Sequence, residues 1–266
     1  MSLRSIARCQ VKKVKQIASL LIRPTNAVCK VKHLFIFSHM RSRSSLLSHI
    51  LGSNSGVCGY SELHQNYKAR TSLLALRARL SQEHRCPIEN KYLLDKLLFS
   101  RQVSDAVFKH AKPKVILLLR NPTGSIRSLM NMGLLTSIEW HRNPEAICSY
   151  YCASMLWLQG YAERLPGEFF FLESDSLIDR TQCVLENLTN WLELEEPLSE
   201  RYSMFENTGK AWHGDPSLNI KSGYVKKTNE HTEIDIPESL LEQAELSYLV
   251  CKDRLSRLSV YQGGIL

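Results

Sequence analysis

Residues 33–51 read HLFIFSHMRSRSSLLSHIL, an apolar run followed by a polar turn and a second apolar segment. The apolar run has the length of a buried strand, so we predict a strand over 33–38. Leucine and isoleucine recur after the turn at helical spacing, so we predict a helix over 44–52. Arginine and serine residues crowd the turn between them. A strand that passes directly into a helix is the building unit of an α/β domain.

The same unit recurs along the chain. Further strands are predicted at 57–59, 91–95, 114–120 and 168–173, and further helices at 62–84, 101–110, from Pro122, 143–164, 179–194 and 237–257. Several strands are apolar on both faces, as in a parallel sheet covered by helices. We therefore predict an α/β fold, a central parallel sheet flanked by helices, in a single domain over 31–266. Ligands of such sheets bind at the carboxyl ends of the strands.

The positive charge is concentrated at the start of the chain. The formal net charge is +8, and ten of the 34 Lys and Arg residues precede Glu62, the first acidic residue. Because the remainder is nearly balanced, we do not expect nucleic acid to be a partner. A basic N-terminal arm and a separate anion site explain the excess better.

The predicted arm, residues 1–30, is basic and amphipathic up to Pro24. Apolar residues recur at roughly helical spacing between Leu3 and Leu21, with lysine and arginine on the other side. This pattern fits an ordinary helix packed on the domain, an interfacial helix that contacts a membrane through residues 1–23, or a presequence free of acidic residues. The sequence leaves these three interpretations open.

The eight cysteines form no CxxC pair and no compact framework. Scattered free thiols are typical of a reducing compartment, so we expect a cytoplasmic protein. Cys148 and Cys152 lie four residues apart, but two cysteines alone make a poor metal site, so we expect no metal.

The turn at 38–45 has the features of an anion site. Backbone amides at a helix start, together with the helix dipole, favour phosphate or sulfate. Ser44 and Ser45 would add hydroxyl donors, and Arg41 would add a fixed charge. The turn lacks the glycines and the lysine of the triphosphatase loop GxxxxGK[ST]. The alternative is that Ser44 caps the helix while the arginines face solvent.

A second polar turn follows the strand VILLLR. Arg120 ends this strand, Pro122 opens the next helix, and Ser128 follows on its second turn. Because parallel strands end at one edge of the sheet, the two turns together predict a ligand with two separated anionic groups.

The two turns resemble the donor-binding motifs of sulfotransferases that use 3′-phosphoadenosine 5′-phosphosulfate (PAPS). In that family the turn (R/K)-S-G-(S/T)-(S/T)-L-L wraps the 5′-phosphosulfate, and R-x-P followed by serine holds the 3′-phosphate. RSRSSLL at 41–47 matches the first motif except at one position, and RNPTGSIRS at 120–128 matches the second. The resemblance covers about residues 33–260 and implies a P-loop-like nucleotide-binding fold. It assigns donor binding to Arg41, Ser42, Arg43, Ser44, Ser45, Leu46, Arg120 and Ser128.

Arg43 stands where the family has glycine. If this position needs a positive φ, an arginine would cost about 1 kcal/mol or more, so we expect the loop to take a slightly different course. We expect the extra charge either to help bind the phosphosulfate or to project outward.

The resemblance also implies the reacting groups. Several branches of the family use a glutamate after the second strand as catalytic base, and Glu62 in GYSELH is the matching residue. His64 competes with it, because other branches use histidine. Lys96, which ends the strand YLLDK, would stabilise charge on the oxygen that bridges phosphorus and sulfur, and Arg41 would help to neutralise it. The structural alternatives are a carboxylate at a helix start for Glu62 and a solvated pair with Asp95 for Lys96.

Two other segments adjoin the predicted site. The polar loop at 206–233 is long enough to suggest a function, and the resemblance implies that it closes over the adenosine and its 3′-phosphate, with Lys221 contributing. Trp140 and His141 lie beside a helix cap, where we expect packing rather than the wall of an acceptor pocket.

The sequence thus predicts an enzyme that transfers a sulfuryl group from PAPS to an acceptor hydroxyl without a metal. Carbohydrates, lipids and small metabolites all remain as acceptors, because variable loops build such pockets. One alternative is a P-loop enzyme resembling a kinase, which would require ATP and magnesium. The other is a non-catalytic module that binds anions or lipid through the basic arm.

Overall fold

The computed structural model describes residues 31–84, 88–136, 138–210, 213–215, 217, 219–227, 236–259 and 261–263. The predicted basic arm, residues 1–30, lies outside the described residues, and so does its predicted contact with a membrane. Among the helices that are described, none is both long and apolar enough to cross a membrane.

Strands and helices alternate along the described chain. The strands are β1 Lys32–Ser38, β2 Val57–Cys58, β3 Tyr92–Leu98, β4 Lys114–Leu119, β5 Phe169–Glu173 and β6 Tyr261–Gly263. The helices are α1 Ser44–Gly52, α2 Arg70–His84, α3 Asp105–Ala111, α4 Pro122–Leu135, α5 Pro144–Arg164, α6 Ser176–Asp179, α7 Thr181–Leu192 and α8 Glu238–Leu258. Short 3₁₀ helices span Glu139–Arg142 and Asn219–Ser222.

The six strands form one sheet in the order β2-β3-β1-β4-β5-β6, and every neighbouring pair is parallel. The predicted α/β fold with a central parallel sheet is therefore confirmed. Ser38 at the end of β1 lies opposite Leu98 of β3 and Leu118 of β4. Because these strands end together, the loops that follow them meet at one edge of the sheet.

Side chains of the central strands alternate between two cores. Phe35 and Phe37 of β1 pack on one face with α2, α3, α4, α5 and α8. Leu34 and Ile36 pack on the other face with α1 and α7. Helices thus cover both faces of the sheet, as its apolar strands require.

The segment before α2 differs from the sequence prediction. The helix predicted from residue 62 begins only at Arg70, because tertiary contacts hold residues 62–69 in an extended loop. The buried Asp95 carboxylate accepts the Leu63 amide at 3.1 Å, and the Tyr67 amide donates to the carbonyl of Gln102 at 2.7 Å. These long-range bonds outweigh the local helical pattern.

Candidate functional site

A cavity of about 820 Å³ opens at the carboxyl edge of the sheet, where ligands of parallel α/β domains bind. Its charged wall is formed by Arg41, Arg43, Glu62, His64, Lys96, Arg120, Asp215 and Lys226. Apolar side chains, among them Met40, Met132 and Ile220, also line the cavity. The volume falls within the range of small-molecule and cofactor sites.

The β1–α1 turn presents a helix start to this cavity. Arg43, not Ser44, is the N-cap of α1, and its side chain makes no capping hydrogen bond. The alternative that Ser44 caps the helix is therefore wrong, and Ser44 instead lines the cavity with Ser45 and Leu46. Uncapped amides at a helix start favour an anionic group.

The two polar turns are hydrogen-bonded to each other. Arg41 Nε donates to Ser128 Oγ at 2.9 Å, and Arg120 Nη1 donates to the Arg41 carbonyl at 2.8 Å. The structure thus brings together the two motifs that the sequence separates by about eighty residues.

Arg43 adopts a φ of 63°, in the left-handed region that glycine favours, so the arginine has not moved the backbone out of this region. The expectation that the loop takes a different course from that of the family stays a prediction. Its guanidinium forms an ion pair with Asp175, whose carboxylate also accepts the Asn121 amide at 2.7 Å. Arg43 therefore lines the cavity and links the first turn to the β4–α4 turn through Asp175.

Lys96 and Glu62 form the buried centre of the site. The Lys96 ammonium lies 3.6 Å from one Glu62 oxygen and donates to Ser45 Oγ at 3.1 Å. Both alternatives from the sequence are wrong here. Only 3% of the Lys96 side chain is exposed, which excludes a solvated pair, and Glu62 precedes α2 by eight residues.

The second oxygen of Glu62 lies 3.0 Å from His64 Nδ1. Burial alone would raise the pKa of Glu62, but the hydrogen bond to His64 and the charge of Lys96 outweigh it and hold that pKa below its ordinary value. Burial lowers the pKa of Lys96, and the charges of Glu62 and Asp215 oppose this shift. At neutral pH the site therefore contains an ionised carboxylate that can accept a proton.

Asp95 and His39 support the site from beneath. Asp95 accepts the Tyr67 hydroxyl at 2.7 Å and the amide of Leu63, the residue after Glu62. Burial raises the pKa of Asp95 to about 7. His39 accepts the Arg120 amide at 3.3 Å and so joins the ends of β1 and β4. Burial lowers the pKa of His39 to about 4, which keeps this imidazole neutral.

Three of the predicted donor residues do not line the cavity. Ser42 is fully buried beneath the turn, and Ser128 lies behind the Arg41 guanidinium. Lys221 is exposed in the 3₁₀ helix Asn219–Ser222, beside Gly209. Their roles in donor binding stay predictions.

Asp215 is a site residue to which sequence reasoning gave no role of its own. Its carboxylate accepts Arg41 Nη1 at 2.8 Å, and its amide donates to Ser45 Oγ at 2.9 Å. The adjacent Gly214 approaches Ser45 so closely that a Cβ would lie 2.9 Å from Oγ. The polar loop thus places a negatively charged carboxylate, that of Asp215, against the residues of the predicted anion site.

Trp140 and His141 were expected to pack rather than to form a wall, and they do both. The Trp140 ring lies 5.4 Å from the Tyr150 ring and 4.3 Å from the His141 ring, and Trp140 and His141 also line the cavity. Their cavity neighbours on this side are Met40, Leu98, Met132, Thr136 and Ile138.

Comparison with models of known protein families and with curated proteins finds no match. Among solved structures, the sulfotransferase domain of the Synechococcus PCC 7002 olefin synthase is similar at 17% identity, with a TM-score of 0.55 over 86% of this chain and 97% of that one. A sulfotransferase domain from the curacin biosynthetic pathway is similar at 16% identity, with a TM-score of 0.51 over 82% of this chain and 98% of that one. The chain therefore has the fold of sulfotransferase domains.

Proposed function

We propose that the chain transfers a sulfuryl group from PAPS to an acceptor hydroxyl. The observation that carries this proposal is the pairing of two cationic turns at one cavity. Arg41 and Arg120 are linked at 2.8 Å, and the cavity also holds a buried lysine beside an ionised carboxylate. A donor with phosphate groups at both ends of a ribose matches two separated anion sites.

In this proposal the first turn binds the 5′-phosphosulfate. Ser44, Ser45 and the amides at the start of α1 hold its oxygens, and Arg41 neutralises its charge. Arg120 and Ser128 hold the 3′-phosphate. Arg41 and Ser128 are now 2.9 Å apart, so Arg41 must release Ser128 when a phosphate enters between them.

The transfer itself needs few covalent steps from the protein. Glu62 takes the proton of the acceptor hydroxyl, whose oxygen forms a bond to sulfur. The bond between sulfur and the bridging oxygen breaks, and the 3′,5′-bisphosphate leaves with the electron pair. Lys96 stabilises the charge on that oxygen. By analogy with phosphoryl transfer, positioning and electrostatics dominate the rate.

Binding of adenosine 3′,5′-bisphosphate tests the donor site directly by calorimetry. The wild type should bind it, and Ser128→Ala and Arg120→Ala should each bind it at least about tenfold more weakly, since a charge-assisted hydrogen bond is worth about 1.5–3 kcal/mol. Arg257→Ala, in which an exposed arginine on α8 is removed, is the matched control and should bind as the wild type does.

Transfer is tested with PAPS labelled on sulfur and an extract of mixed acceptors, followed by detection of the mass increase. Circular dichroism of each variant separates loss of binding from loss of the fold. The proposal fails if the wild type and Arg120→Ala bind the bisphosphate equally weakly.

A further inference from the structure

The cavity has two apolar ends that lie on opposite faces of the sheet. At one end, Met40, Met132 and Trp140 pack against the core that contains α4 and α5. At the other end, Tyr202 and Ile220 belong to the core that contains α1 and α7. The charged groups of the two turns line the same cavity. A site for two substrates needs two such compartments, one for the adenine base and one for the acceptor.

We define the acceptor lobe as the cavity wall formed by Met40, Leu98, Met132, Ile138 and Trp140. None of these side chains carries a charge, and all five are half-buried. The lobe is assembled from four places in the fold: the turn after β1, the end of β3, the last turns of α4, and the 3₁₀ helix before α5 with the residue that precedes it.

The acceptor lobe adjoins the proposed base. The Met40 amide donates to the Tyr150 hydroxyl at 2.9 Å, and the Trp140 ring packs on Tyr150. Glu62 lines the same cavity as Met40 and Trp140, so the proposed base and the lobe border one open space. Leu63, which follows Glu62, belongs to the core on the same face as the lobe. An acceptor in the lobe would therefore present its hydroxyl to Glu62.

Two buried polar atoms on this side have no hydrogen-bond partner among the described residues. They are Thr136 Oγ1 and His141 Nδ1, and both residues line the cavity. Burial lowers the pKa of His141, so its imidazole is neutral at physiological pH. Both atoms are enclosed by the protein itself, so they add no hydrogen-bonding capacity to the wall of the lobe.

We propose that the acceptor is an amphiphilic alcohol, with its hydroxyl at Glu62 and Lys96 and its apolar body in the acceptor lobe. This inference rests on the proposed sulfuryl transfer and selects among its acceptors. An oligosaccharide fits the lobe poorly, because sugar hydroxyls would lose hydrogen bonds to water without replacing them.

Three alcohols with a primary hydroxyl test the polarity of the lobe: octanol, triethylene glycol monomethyl ether of similar length, and methyl β-glucoside. We expect kcat/KM for octanol with PAPS to exceed that for the ether and the glucoside at least about tenfold, since each apolar group that leaves water favours binding. Calorimetric titration of the three alcohols in the presence of the bisphosphate gives the same ranking independently of turnover.

Variants at Met132 connect this preference to the lobe. Met132→Glu places a charge in the apolar wall and should weaken octanol binding at least about tenfold, while bisphosphate binding stays within about twofold. Met132→Leu keeps the wall apolar at similar volume and should bind octanol as the wild type does. The inference is overturned if the glucoside or the ether equals octanol, or if Met132→Glu and Met132→Leu behave alike. Failure of the wild type to bind the bisphosphate would instead refute the proposed transfer.

Discussion

Replacing Asp215 by asparagine should tighten binding of adenosine 3′,5′-bisphosphate. Burial would raise the pKa of Asp215, but the charge of Arg41 outweighs it and holds that pKa below its ordinary value, so the carboxylate is ionised at neutral pH. It thus neutralises the arginine that is proposed to bind the 5′-phosphate. A phosphate that enters the site has to displace it, and displacement opposes binding.

The geometry of the pair gives the size of this effect. The two charged atoms are 2.8 Å apart, and the exposed fractions of the Arg41 and Asp215 side chains are 19% and 22%. Such bonds contribute about 1.5–3 kcal/mol, and partial exposure favours the lower end. Asparagine keeps the shape and one oxygen acceptor but removes the charge. We therefore expect a gain of about 1.4 kcal/mol in binding, which is about tenfold in Kd.

The assay is calorimetric titration at pH 7 and fixed ionic strength. Asp253→Asn, which removes an exposed carboxylate from an ion pair on α8, is the control for net charge and should leave Kd nearly unchanged. Weaker binding by Asp215→Asn would refute the reasoning, because it would mean that Asp215 orients Arg41 for the donor. Equal tightening in both variants would indicate a general charge effect only.

Three further predictions concern the base, its support and the unusual arginine. Glu62→Gln should lower kcat about 10²–10⁴-fold with unchanged bisphosphate binding. Because the pKa of Glu62 is held below 4.5, the acidic limb of kcat/KM should lie below pH 5, whereas a limb near the ordinary imidazole pKa of about 6.5 would point to His64. Asp95 binds a proton more tightly in the folded state, since burial raises its pKa from 3.8 to about 7. Its ionisation therefore destabilises the fold as pH rises through that window. Between pH 5 and pH 8, the free energy of unfolding measured in urea should fall more in the wild type than in Asp95→Asn. An equal change in the two proteins would contradict this prediction. Arg43→Gly should leave the unfolding free energy within about 1 kcal/mol of wild type, because relief of the left-handed φ offsets the loss of the partly exposed pair with Asp175. The same variant should bind the bisphosphate more weakly, and tighter binding would show that Arg43 takes no part in the charge of the site.

The ends of the buried strands could be predicted because each strand is a continuous apolar run that stops at a polar turn. β1 and β4 were placed within one residue at each end on this basis, and with them the turns that contain Arg41 and Arg120. Parallel pairing then fixes that these turns meet. A site built from strand ends can therefore be predicted from the sequence even though its two halves are distant along the chain.

The remainder of the site depends on contacts that leave no local pattern. Asp215 is 174 positions from Arg41, and nothing around it distinguishes it from any acidic residue of a polar loop. The extended course of residues 62–69 depends on the buried carboxylate of Asp95, more than thirty positions away. The acceptor lobe contains single apolar residues from several elements, so no regular spacing in the sequence could have predicted that they form one wall.

The two arginines of the first turn, Arg41 and Arg43, make different contacts. Both Arg41 and Arg43 have φ near +60°, a conformation that costs a residue with a Cβ about 1–3 kcal/mol and persists only where surrounding contacts enforce it. The two guanidinium groups find different partners: Arg41 contacts Ser128 on α4, and Arg43 contacts Asp175, which also holds Asn121. The first turn is therefore joined to the second in three ways. Arg41 bonds to Ser128, which a phosphate would break, Arg120 bonds to the Arg41 carbonyl, and Arg43 pairs with Asp175 without involving Ser128 or Asp215. When a donor separates Arg41 from Ser128, the link through Arg43 can keep the two turns at the spacing that a nucleotide with two phosphates requires. An arginine at position 43 thus connects the two turns through its ion pair with Asp175, which a glycine could not form.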